Sequence, residues 1–264
     1  MTQQQIGPIG EQFGRFPLRF SDTSFDLDQD EEWCEVKLND QWRRIRLHDY
    51  HEIYNIPGLY EAVFSRRLKC CSPERVVGLL DDVLSDFTQT TEDLRVLDMG
   101  AGNGMVASEL RKAGVETIHG IDIIPEARVA ALRDRPGIYA DYHVSDLTQP
   151  NNPDYEVIRT ADLNALTLVA ALGYDDIPPA AFVQACNLID TPGWLAFNIK
   201  ETFLDEDEDG TGFCALIRRL RKHGYMQVQA YRRYRHRLSI NGEPLHYIAM
   251  VASKLKPIPA SMLR

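Results

Sequence analysis

The chain has 264 residues, 44% of them hydrophobic, with a formal charge of −10 and a pI of about 5.2. That is enough apolar material for one large α/β domain plus an extension, and the acidic balance argues against docking on nucleic acid through a broad basic face. Five cysteines (Cys34, Cys70, Cys71, Cys186 and Cys214) without C-x-x-C spacing argue against a disulfide framework or a zinc site and read as reduced thiols of a cytoplasmic protein.

The opening MTQQQIGPIG carries no basic segment ahead of an apolar core, and no apolar run reaches the length of a membrane span, so neither a signal peptide nor a membrane segment is expected. Residues 1–30 are polar and read as a partly ordered arm. In WCEVKLNDQWRRIRL, Cys34, Val36 and Leu38 alternate with polar neighbours, and Asn39-Asp40 supplies a two-residue turn, so a small β-hairpin is expected outside the main domain. Residues 48–68 read as short helical pieces broken at Pro57-Gly58. Ser72-Pro73-Glu74 opens a cleaner helix, with Ser72 as its N-cap and a broad apolar face from Val76 to Leu84.

From Leu94 the pattern becomes regular. Strands are expected at Leu94–Asp98, Thr117–Ile121, Tyr139–Val144, Ala165–Val169, Gly193–Ile199, Met226–Leu238 and His246–Ser253, the last after a hairpin at Asn241-Gly242. Helices are expected at Met105–Ala113, Glu126–Arg133, Pro179–Leu188 and Gly212–His223, while residues 147–163 fit either a strand or a short helix. Strands alternating with helices imply an α/β, doubly wound, mostly parallel seven-stranded sheet with an antiparallel last strand. The division is an arm (1–30), a hairpin and helical cap (31–92) and the α/β domain (93–264).

The first crossover reads VLDMGAGNG. Gly100, Gly102 and Gly104 stand where a strand must turn sharply into a helix, the place where a bare backbone lets a ligand approach and free helix N–H groups converge. The third glycine comes one place early for the dinucleotide fingerprint G-x-G-x-x-G, and Met105 occupies the place of its last glycine, which argues against a nicotinamide-dependent oxidoreductase. The stretch resembles motif I of the class I S-adenosylmethionine-dependent methyltransferases: a hydrophobic strand, an acid, then G-x-G-x-G. The resemblance covers roughly residues 94–253 and implies S-adenosyl-L-methionine as cofactor, a Rossmann-like methyltransferase fold, and a loop of Gly100, Ala101, Gly102, Asn103 and Gly104 around the amino-acid end of the ligand. It implies that Asp98 helps hold the ligand's ammonium group, directly or through water. It also implies that Asp122, with Ile123 beside it, accepts from the ribose hydroxyls, and that Asp146, beside Leu147, binds the adenine amino group.

Methyl transfer is an in-line displacement at an already activated carbon, so the protein supplies mainly alignment and dehydration. The expected cover is residues 48–68, whose Tyr50, Tyr54 and Tyr60 present aromatic faces suited to a sulfonium, with His51 as a neighbouring base. Tyr50, His51, Tyr54 and Lys200 are the catalytic candidates. Asp175, Asp176 and Glu201 also follow strand ends at this edge, and His246 begins the last strand. The acidic run Asp205–Asp209 reads as a solvated loop. In RRYRHR, strand alternation puts Arg233, Arg235 and Arg237 on one face and Arg232, Tyr234 and His236 on the other, a ladder more suited to pairing with acids than to binding nucleic acid. The expectation is methyl transfer to a small-molecule substrate at O, N or C. A non-catalytic S-adenosylmethionine-binding module, and a methyltransferase acting on protein or RNA, remain as alternatives.

Overall fold

The computed structural model describes residues 17–20, 27–149, 152–172, 176–204 and 210–263; most of the expected arm, Asp175 and the run Asp205–Asp209 lie outside the described residues. The smaller of two sheets is antiparallel, with β1 (Leu18–Phe20), β2 (Trp33–Leu38) and β3 (Gln41–Arg46) in that order. Asn39 and Asp40 take φ of 48° and 62°, as a two-residue hairpin turn demands. β1 adds a strand to the expected hairpin. Cys34, Val36 and Ile45 of this sheet share a core with Ile53, Leu59, Val63 and Leu68 from the cap. The cap consists of α1 (Tyr50–Asn55), the Pro57-Gly58 break and a π-helical turn, Glu61–Arg67.

The larger sheet contains β4 (Arg95–Met99), β5 (Thr117–Asp122), β6 (Asp141–Val144), β7 (Ala165–Leu168), β8 (Gly193–Lys200), β9 (Met226–Leu238) and β10 (Pro244–Lys254). Their order is β6-β5-β4-β7-β8-β10-β9. The ladders joining β6, β5, β4, β7 and β8 are parallel, and β10 runs antiparallel to both β8 and β9. The helices are α2 (Ser72–Asp86), α3 (Met105–Lys112), α4 (Pro125–Asp134), α5 (Pro153–Arg159), α6 (Pro179–Leu188) and α7 (Phe213–Lys222). Alternation along each strand feeds two cores. Leu97, Met99, Phe197 and Ile199 pack with Phe182 of α6 and Leu216 of α7. Val96, Ile118, Ala196 and Val251 pack with Leu80 of α2 and Leu110 of α3. Asp98 and Asn198 fall on this second face by the same alternation, which places two buried polar side chains beside α2.

Four local expectations change. The third strand of the α/β region starts at Asp141, not Tyr139, because the Tyr139 hydroxyl turns inward to donate to Asp98 at 2.8 Å. The open segment 147–163 holds a helix: Asn152 caps it by accepting from Asp154 N–H at 2.9 Å, with Pro153 in its first turn. Ser72 does not cap α2; Cys71 occupies that position without a side-chain cap bond, and the Ser72 hydroxyl turns to Tyr234 and His236. Arg237 is buried instead of lying outward with Arg233 and Arg235. The β9–β10 register shifts at Leu245/His246, next to its partner Leu245, and a bulge re-aims side chains in this way.

β9 ties the cap to the sheet. Cys71 N–H donates to the His236 carbonyl at 3.0 Å, and Leu238 N–H to that of Leu68 at 2.7 Å. Arg237 also pairs with Glu32, each side chain 3% exposed, and Ile240 N–H donates to the other Glu32 oxygen at 2.8 Å. Removing one partner of such a pair leaves an uncompensated buried charge. Glu32→Ala should therefore lower stability in urea unfolding by about 3–5 kcal/mol, while replacing the pair together by Met and Leu should cost markedly less.

Candidate active site

The turn after β4 is stretched over β5: Gly100 N–H and Ala101 N–H both donate to the Ile121 carbonyl, at 2.9 and 3.1 Å. Gly100, Gly102 and Gly104 have φ of +68°, +52° and +89°, the left-handed region where a side chain is strained. The space is closed as well. A Cβ on Gly102 would stand 2.5 Å from the Tyr54 hydroxyl, and one on Gly100 would stand 3.0 Å from the Ala171 side chain. Gly104 differs, since its Cβ would meet Arg135, Tyr139 and Ile138 and no cavity.

Three strand-end side chains hold the turn from below. Asp122 accepts from Gly102 N–H at 2.9 Å and, through its other oxygen, from Ile124 N–H at 3.0 Å. The Tyr142 hydroxyl donates to the Gly102 carbonyl at 2.8 Å, and that of Tyr139 reaches both Asp98 and the Ala101 carbonyl. Gly120 in β5 makes room for them, because a Cβ there would come within 2.8 Å of the Tyr142 ring. Asp98 itself is fully buried, with its oxygens accepting from Thr167 and Tyr139 at 2.8 Å each. Burial pushes its pKa up to about 7 against the pull of those two donors.

Above the turn lies a cavity of about 250 Å³. Asp122, Ile123, Asp146 and Leu147 line it at the ends of β5 and β6, Gly100 at the turn, and Tyr50, Tyr54 and Tyr60 from the cap. A narrower extension over Ala101, Gly102 and Asn103 runs beneath Tyr54, Tyr60 and Phe64. The roof is a file of rings, with Tyr50–Tyr54 stacked at 6.1 Å, Tyr54–Tyr60 stacked at 5.2 Å and Tyr60–Phe64 at 4.6 Å. Burial holds all three phenols well above the usual tyrosine range, so they face the cavity as neutral hydroxyls. The cap is bolted to the turn itself. Asn103 Nδ2 donates to Glu61 at 2.7 Å, and Arg135 bridges the same Glu61 oxygen at 2.8 Å to the Asn103 carbonyl at 2.9 Å.

Several candidates stand off the cavity or only at its rim. Asp98 lies beneath the turn and is absent from the wall. Asp146 is at the rim, its carboxylate engaged by Thr148 and Gln149, whose hydrogen bonds draw its pKa down. His51 is exposed, and the imidazole on the wall belongs instead to His48, kept below the usual histidine range by burial and by Arg237. Lys200 ends β8 opposite Tyr247; it is Tyr247, and not its neighbour His246, that reaches the cavity's inner end. Glu201 pairs with Arg233 at 2.7 Å. The sequence reading missed His48, Cys70, Tyr139, Tyr142 and Tyr247. Gly120 inside a strand was the available signal for the two tyrosines under the turn.

The chain's sheet order, its antiparallel β10 and the glycine turn over β5 make up the architecture of class I S-adenosylmethionine-dependent methyltransferases. Comparison with known families agrees: a family model described as a methyltransferase domain matches residues 72–241, and the chain belongs to that family. Among solved structures, it is similar to an S-adenosylmethionine-dependent methyltransferase from Anabaena variabilis at 13% identity and a TM-score of 0.52, over 80% of this chain and 96% of that one. A Clostridium acetobutylicum S-adenosylmethionine-dependent methyltransferase (11% identity, 75% and 97% coverage, TM-score 0.49) is also similar. So is the Synechocystis magnesium protoporphyrin IX methyltransferase with bound S-adenosylmethionine (15%, 69% and 79%, 0.47). At these identities the likeness is one of fold. No curated protein matches the sequence. The protein is an S-adenosylmethionine-dependent methyltransferase, and the cofactor supplies an activated methyl group.

Two predictions follow from the geometry of the turn. Gly102→Ala should cost about 2 kcal/mol from φ strain and the clash with Tyr54, and adding Tyr54→Phe should recover only the steric share in thermal unfolding. The folded state also keeps a proton on Asp98 that the unfolded chain has released above its pKa of about 4. Stability contributed by Asp98 should therefore fall as pH rises from about 4 to about 7 and level off above, and Asp98→Asn should remove that slope.

Proposed function

We propose that the enzyme methylates a small molecule, at O, N or C, enclosed beneath the tyrosine roof. The observation that carries this reading is the roof itself. Tyr50, Tyr54 and Tyr60 cover the cavity from α1 and the turn that follows, and Asn103, Glu61 and Arg135 fasten that cover to the glycine turn. A chamber built this way excludes water from a displacement at carbon and orients a compact acceptor. A polymer would need an open track instead. Three of the four arginines of RRYRHR are already matched by acids, Arg232 by Asp82, Arg233 by Glu201 and Arg237 by Glu32.

In this reading Asp122 holds the ribose hydroxyls. Each of its oxygens already accepts one backbone N–H and keeps a further lone pair. Ile123 and Leu147 flank the adenine, and Gly100, Ala101, Gly102 and Asn103 carry the amino-acid end. Gly104 shapes the turn, and Asp98 and Asp146 act on it and on the rim through their own hydrogen bonds. The tyrosine faces attract the sulfonium charge. Where the acceptor carries a proton, His48 is the neutral imidazole placed on the wall to take it.

S-adenosylhomocysteine should bind with measurable heat, and Asp122→Ala should weaken it by about tenfold or more, the equivalent of one charge-assisted hydrogen bond. Titration without heat or thermal shift would remove this assignment of the cavity. Turnover restricted to protein or RNA acceptors would remove the small-molecule assignment alone.

A further inference from the structure

The inner end of the cavity, away from Asp122, is lined by His236, Arg237 and Tyr247 of β9 and β10 together with Tyr50, Tyr60 and Cys70. His236 is held there by a chain of hydrogen bonds whose direction can be deduced from its first member. Ala170 N–H donates to Asn198 Oδ1 at 2.6 Å, and a backbone amide has only a donor to offer, so the other end of that side chain is its NH₂. Asn198 Nδ2 therefore donates to the Tyr234 oxygen at 2.6 Å and to Ser72 Oγ at 3.1 Å. The Tyr234 proton has one acceptor left, Ser72 Oγ at 2.6 Å. Ser72, receiving two donors, sends its own proton to His236 Nδ1 at 2.6 Å. The alternative, in which His236 Nδ1 donates to Ser72, leaves the Ser72 proton only the weak sulfur acceptor of Cys70 in place of an imidazole nitrogen. Nδ1 is thus an acceptor, and Cys70 Sγ, 3.9 Å away, offers it a second, weak donor.

Burial and the neighbouring Arg237 keep His236 well below the usual histidine range, so the ring is neutral and its single proton sits on Nε2. No hydrogen bond engages Nε2 among the described residues, nor the hydroxyls of Tyr50 and Tyr60. The ring packs against Tyr247, with centroids 4.1 Å apart and the planes tilted by 30°. Arg237, the one cation lining this end among the described residues, is already matched by Glu32 and donates onward to the Leu238 carbonyl at 2.8 Å. The carboxylates of Asp122 and Asp146 line the outer cavity, and Asp176 lines both it and the inner end.

We infer that this inner end is the acceptor subsite and that His236 Nε2–H, fixed by the Asn198–Tyr234–Ser72 chain, receives a carbonyl-type oxygen of an uncharged, planar, unsaturated substrate. The inference rests on the methyl-transfer reading of the cavity. The aromatic walls suit a flat molecule, the Arg237 charge on the wall is already matched by Glu32, and Asp176 on the same wall opposes an anion. In this tautomer His236 is a recognition residue and not a base, since Nε2 already carries a proton.

Long-range proton–nitrogen correlation spectra of the ¹⁵N-histidine-labelled protein test this directly, with His236→Phe providing the assignment. The expected result is the Nε2–H tautomer at neutral pH. Added benzamide, an uncharged planar carbonyl probe, should shift the Nε2 resonance, and its affinity should fall about fivefold to tenfold in His236→Phe. Benzoate should bind at least about tenfold more weakly than benzamide, because it buries an unmatched charge. An Nδ1–H tautomer, an Nε2 resonance indifferent to benzamide, or benzoate binding as tightly as benzamide would each overturn the inference. Heat from S-adenosylhomocysteine, measured on the same samples, reports separately. A benzamide response without that heat upholds the carbonyl-binding subsite and removes the methyl-transfer reading.

Discussion

Everything in the site depends on holding a glycine turn in a shape that the turn cannot hold alone. Its backbone is left-handed at three positions, and its peptide groups lie too early in α3 to find helical partners. They are satisfied from below by side chains at strand ends: Asp122 on the Gly102 amide, Tyr142 on its carbonyl and Tyr139 on that of Ala101. The turn is flexible in composition and fixed in context. The same carboxylate that faces the cavity is also one of its supports, so binding and local folding share a residue.

A second layer of polar groups lies on the α2 face of the sheet. Asp98 on β4 and Asn198 on β8 lie on the same face two residues apart in register, and each is held by neighbours: Thr167 and Tyr139 for the first, and Ala170, Tyr234 and Ser72 for the second. Buried polar groups are costly unless fully partnered. Here the partnering also carries orientation, from a backbone amide on one side of the cavity to an imidazole on the other.

The sheet was legible because its strands alternate cleanly between two apolar faces and α2, α4 and α6 carry Pro starts. The glycine turn and the acids after β5 and β6 were legible for the same local reason. What escaped was set by packing between distant segments. His51 and His48 look alike in sequence, and only the course of the chain from β3 into α1 decides which one faces inward. Ser72 carries the signature of a helix cap, yet it is drawn off by Tyr234 and His236, 162 and 164 residues away. Arg237 follows the alternation until the β9–β10 bulge turns it. Tyr139 reads as a strand residue, and its role comes from the hole that Gly120 leaves in the neighbouring strand.

The fastening of the cap to the turn bears on how the enzyme cycles. Glu61 belongs to the cover and Asn103 to the cradle, and both are gripped by Arg135. Raising a cover tethered in this way strips Asn103 and Arg135 of their shared Glu61 oxygen and leaves them with Asp134, Ser108 and the Asn103 carbonyl. Opening of the cover and loosening of the cradle thus draw on the same hydrogen bonds, and a change in one is felt in the other.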